Sequence, residues 1–182
     1  MGVGSIKRMK PKSTVLLVVL LGLTAGLLRA QTPCAGEPGF QKLDFWLGAW
    51  KVVDAEGQEQ GVNRIEKILS GCAILEHWTG AGGGEGKSLF YYNAVTEAWK
   101  QVWVTQNATS PGGLKEKRLI ETFDGGGVRF QGEIPLEDNR SYLDRTTLTP
   151  LPDGRVRQVI EWSTDGGETW NIAFDAYYIR EE

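Results

Sequence analysis

The chain is predicted to be all-β: an up-and-down antiparallel barrel of about ten strands with a short N-terminal helical lid. Three observations predict it. From Trp46 onward, apolar residues recur with a period of two through one run after another, the period of a half-buried strand. Short turns rich in glycine, proline or aspartate separate most of the runs and leave no room for crossover helices. Gly48-Ala49-Trp50 opens the first run and Arg180 ends the last, and a guanidinium stacked on that indole makes first and last strands neighbours.

In chain order, residues 1–30 read as a signal peptide and 31–182 as the barrel domain. Lys7, Arg8, Lys10 and Lys12 form a basic n-region, Val15 to Leu28 is an apolar run, and Leu28-Arg29-Ala30 suits cleavage before Gln31. The other reading is an uncleaved anchor, but the run is short of the roughly 20 residues that span a bilayer. Pro38 to Phe45 reads as the helical or 3₁₀ lid, with Phe40, Leu43 and Phe45 as its apolar points.

Strands are predicted near 47–54, 60–69, 72–80, 87–94, 98–106, 115–123, 127–133, 141–150, 154–163 and 170–180. Between them lie turns such as Asp54-Ala55-Glu56-Gly57, Gly82-Gly83-Gly84 and Pro152-Asp153-Gly154. The glycine run at 82–86 is not a phosphate cradle, since no helical pattern and no Lys-Ser/Thr follows it.

Charge narrows the partners. Removing residues 1–30 takes away five basic residues and no acidic one, moving the formal net charge from −3 to −8. An acidic domain without a basic block predicts no nucleic-acid partner and no stable membrane insertion once the signal is cleaved. A secreted or periplasmic monomer or homodimer is expected. The chain has two cysteines, Cys34 and Cys72, and in an oxidising compartment one disulfide is the economical reading; two separate thiols, one of them buried, is the other.

Strand alternation suggests what faces inward. With the tryptophan-bearing faces inside, Trp78, Trp99, Trp103 and Trp162 form the walls of a cavity, and Glu76, Gln101 and Gln158 supply polar points that orient a ligand. A barrel packed solid by the same aromatics is the alternative. Glu76 is a candidate general acid or base, or else a carboxylate paired with Arg145, Arg157 or a backbone N–H. The one histidine, His77, falls on the opposite face from Glu76, and zinc-type ligand spacing is absent. No catalytic residue, metal or cofactor is assigned.

Ser163-Thr164-Asp165-Gly166-Gly167-Glu168-Thr169-Trp170 resembles the Asp-box hairpin of sialidase propellers. One copy cannot build a propeller, so Asp165 and Trp170 are read as structural staples of a turn, alongside Trp50 and Arg180.

Asp44-Phe45-Trp46-Leu47-Gly48-Ala49-Trp50, Gly71-Cys72, Glu76-His77-Trp78, Gln101-Val102-Trp103, Arg157-Gln158 and the Ser163–Trp170 motif together resemble a bacterial family of secreted proteins whose domain has no assigned function. Gly48-x-Trp50 with Arg180 is also similar to the calycin signature of lipocalins, fatty-acid-binding proteins and nitrobindins, which implies a barrel enclosing a small ligand. Nitrobindin holds haem through a histidine near its C-terminus. The final strand here has none, though Tyr177 or Tyr178 could ligate iron in principle, so haem is not predicted. The expected function is binding of a small apolar or amphipathic ligand. The alternatives are an enzyme on the same barrel using Glu76 as acid or base, and a filled-barrel envelope interaction protein.

Overall fold

The computed structural model describes Met1, Gly2 and residues 34–181; the predicted signal segment and its cleavage site lie outside the described residues. Ten strands form one closed antiparallel meander: β1 (Gly48–Val53), β2 (Glu59–Ile68), β3 (Ala73–Gly80), β4 (Glu85–Asn93), β5 (Ala98–Thr105), β6 (Leu114–Thr122), β7 (Val128–Pro135), β8 (Ser141–Pro150), β9 (Val156–Ser163) and β10 (Asn171–Arg180). Each strand pairs with the next and β10 returns to β1, so the sheet has no free edge. The predicted runs match these strands to within a residue or two at most ends. The misses have local causes: Glu85 already pairs with Thr79, and β7 continues to Pro135 opposite Ser141 because Ile134 is a buried core residue.

Closure is local chemistry between the chain ends. Trp50 and Arg180 are ladder partners, with the Arg180 guanidinium carbon 4.4 Å from the centroid of the buried indole. Arg180 Nη1 also donates to the Leu47 carbonyl at 3.1 Å. Gly48 permits this approach: its φ is +136°, and a Cβ there would lie 2.4 Å from Arg180 Nη1.

One end of the barrel is plugged. The N-terminal segment forms 3₁₀ turns at Pro38–Gln41 and Asp44–Trp46, which place Leu43 and Trp46 in the core fully buried. Trp50 Nε1 donates to the Trp46 carbonyl and Trp99 Nε1 to the Gly39 carbonyl, each at 2.9 Å. Trp46, Phe90 and Phe130 pack edge to face, with ring centroids 5.5 and 5.4 Å apart. The Cys34–Cys72 disulfide is formed and ties this plug to the β2–β3 connection. The expected lid is therefore a plug at the β2–β3 end.

The predicted turn staple is present at the other end. Asp165 accepts from the Thr169 hydroxyl, from the Thr169 amide at 3.0 Å and from Ser163 Oγ at 2.7 Å, and these bonds hold its carboxyl well below the usual aspartate range. Trp170 donates to the Gly167 carbonyl, and the Arg145 guanidinium stacks 3.8 Å above its ring. Outward positions carry ion pairs, notably bidentate Arg145–Glu161 and Arg157–Asp175. Among the described residues, no helix is long and apolar enough to cross a membrane.

Candidate functional site

Alternation along each strand sends every second side chain inward, and past the plug these side chains do not fill the barrel. A cavity of about 280 Å³ remains in the half away from the plug. Its apolar wall is Trp78, Trp103, Ile160 and Phe174, with Trp78 and Phe174 edge to face at 6.0 Å. Trp103 lies across β4 at Gly86, where an added Cβ would come within 2.3 Å of the indole, so the strand's missing side chain is the ring's seat.

Five of the seven residues expected at a cavity line it: Glu76, Trp78, Gln101, Trp103 and Gln158. Trp99 also points inward, but it belongs to the plugged half, buried against Tyr92. Trp162 stands on β9 two residues beyond Ile160, toward the open end, and is 37% exposed. Both carry the expected inward parity; their height along the barrel separates them from the cavity.

The polar side of the cavity is a directed hydrogen-bond chain. Glu76 is buried and accepts from Asn63 Nδ2 at 2.8 Å and from Ser88 Oγ at 2.5 Å. Because the Ser88 proton goes to Glu76, Ser88 Oγ accepts from Gln101 Nε2, at 3.0 Å. That fixes the Gln101 amide, and its Oε1 is left buried without a hydrogen-bond partner. On the other flank Asn63 Nδ2 reaches the Tyr178 hydroxyl, which donates to Gln158 Oε1 at 2.6 Å. Neither Arg145 nor Arg157 pairs with Glu76; both are engaged outside the barrel.

A second group faces this chain. Lys117 is buried, donates to Thr146 Oγ1 at 2.6 Å and pairs with Asp144, whose other oxygen accepts from Lys115 at 2.5 Å. Burial lowers the Lys117 ammonium to about 8, with the Asp144 charge pulling it back up. Burial raises Glu76, opposed by its bonds from Ser88 and Asn63 and by the charge of Lys117. Burial also pushes the Tyr178 phenol well above its ordinary range.

Asn63, Ser88, Lys117, Asp144 and Thr146 were not singled out from the sequence. Lys117 is the ladder partner of Gln101, so a known β5–β6 register would have placed it inside. The loop between Thr105 and Leu114 is too long for turn chemistry to set that register.

His77 sits on the outer face with Nε2 3.2 Å from Glu66 Oε1. Tyr177 lies outside beside Arg155 and Arg157. Among the described residues, no group of three His, Cys, Asp or Glu side chains could hold a metal ion. No family model and no curated protein matches the chain.

Proposed function

We propose that this chain is an exported, calycin-like barrel that binds a small amphipathic molecule in the half of its interior away from the plug. One observation carries the reading. The plugged half is packed with Trp46, Trp50, Phe90, Trp99 and Phe130, whereas the other half keeps a cavity of about 280 Å³ with aromatic walls and fixed polar groups. A barrel that served only as a scaffold has no use for that asymmetry; a ligand site requires it.

The disulfide supports an oxidising, secreted or periplasmic location. The ion pairs on the outer face suit a water-facing barrel. The Trp50–Arg180 closure supports kinship with calycins. Glu76, with both oxygens held by donors, suits a fixed electrostatic and orienting role better than proton transfer.

The test is titration with phenylnaphthylamine, a neutral aromatic amine whose fluorescence rises in apolar surroundings. Wild-type protein binds the probe. Gln101→Ala and Trp103→Ala weaken binding while circular dichroism stays native. Unchanged affinity in both folded variants removes the site.

A further inference from the structure

From the pattern of satisfied and unsatisfied groups lining the cavity, we infer that its ligand carries an oxyanion head, received by Lys117 and Lys115, and a hydroxyl or N–H donor received by Gln101 Oε1. This rests on the ligand-binding reading above and narrows it to a chemical class.

The donor and acceptor inventory leads there. Each lysine ammonium offers three protons. Those of Lys117 meet Asp144 and Thr146, and those of Lys115 meet Asp144 and Tyr142. One proton on each ammonium is left over, and both lysines line the cavity. The two carboxylates nearby do not absorb them. Asp144 is already shared between both lysines, and Glu76 has Asn63 on one oxygen and Ser88 on the other. The open space thus meets donors on the β6 side.

On the neighbouring β5, Gln101 presents the opposite need: a buried carbonyl oxygen, 6% of the residue exposed, that nothing in the protein reaches. An unmade bond to a buried acceptor costs on the order of 1–3 kcal/mol, which a ligand's donor recovers. The ladder pairs Gln101 with Lys117 and Trp103 with Lys115, so acceptor, donors and indole are adjacent. An anionic head at the lysines lays an apolar body along Trp103, Phe174 and Trp78.

Two probes with the same aryl core separate the ideas: anilinonaphthalene sulfonate, which bears an oxyanion, and phenylnaphthylamine, which does not. Wild-type protein should prefer the sulfonate by roughly tenfold or more, the size of one charge-assisted hydrogen bond. Lys117→Met should abolish the preference for the sulfonate over phenylnaphthylamine, with Lys115→Met reducing it more weakly; Lys115→Met also serves if Lys117→Met fails to fold. Equal binding of both probes by the wild type, or a preference untouched in the folded lysine variants, overturns the oxyanion assignment and leaves the cavity reading standing. Failure of both probes to bind overturns both.

Discussion

The Arg180 guanidinium, on the last strand, stacks 4.4 Å from the ring centroid of Trp50, on the first, and the two residues are ladder partners across the seam that closes the barrel. One face of the indole is shielded by a cation that also donates to the Leu47 carbonyl. Arg180→Ala should therefore cost about 1–2 kcal/mol, the stacking and the hydrogen bond together. Urea unfolding measures it, and a double-mutant cycle with Trp50→Phe isolates the pair. Additive losses in that cycle would mean the stack contributes nothing. Gly48→Ala should be at least as harmful, since it adds a Cβ against Arg180 at a φ of +136°.

Reduction of Cys34–Cys72 should loosen the plug and spare the strand ladder. The bridge closes a loop with a sequence separation of 38. In the chain-entropy treatment that is worth roughly 3–4 kcal/mol. Cys34→Ser/Cys72→Ser protein should unfold at correspondingly lower denaturant. Its amide exchange should accelerate first in the plug, at Gly39 to Trp46. An unchanged midpoint would show that Leu43 and Trp46 anchor the segment by packing alone.

Glu76 gives a pH signature whose sign is fixed. Its carboxyl is raised in the folded protein, so between its unfolded value near 4.5 and its folded value the native state holds the extra proton. The stability tied to that proton is present at acid pH and is lost as pH rises through the folded value. Wild-type protein compared with Glu76→Gln should therefore lose stability as pH is raised above about 4.5. The Asn63 amide, whose Oδ1 has no partner, can turn to accept from the new side-chain amide. Parallel curves for the two proteins would place the Glu76 carboxyl at an ordinary value.

Gly86 controls access to the Trp103 seat. Gly86→Val should push the indole into the cavity, reducing phenylnaphthylamine binding by roughly tenfold or more, a loss of at least 1.4 kcal/mol, while the strand content stays native. Full probe affinity in that variant would mean the ligand does not pass beside Trp103.

The barrel itself was legible because its signals are local. Period-two runs, turn residues and a tryptophan and arginine at the two ends are each read within a few positions, and closure follows from pairing the ends. The inward faces of β3, β5 and β9 were legible through Glu76, Gln101 and Gln158. What escaped is set by register and by height along the barrel. Lys117 enters only when β6 is aligned with β5, and Asp144 only when β8 follows across β7. Trp99 and Gln101 share a face, yet the plug buries the first and leaves the second beside open space. Alternation reports the face of a strand and is silent on depth.

A crystal structure grown with phenylnaphthylamine tests the internal ligand site most directly. Aromatic density is expected inside the barrel between Trp78, Trp103 and Phe174, with the plug at Leu43 and Trp46 unchanged. A solid interior, with Trp103 and Lys117 repacked across the space and the probe bound outside or not at all, would contradict it.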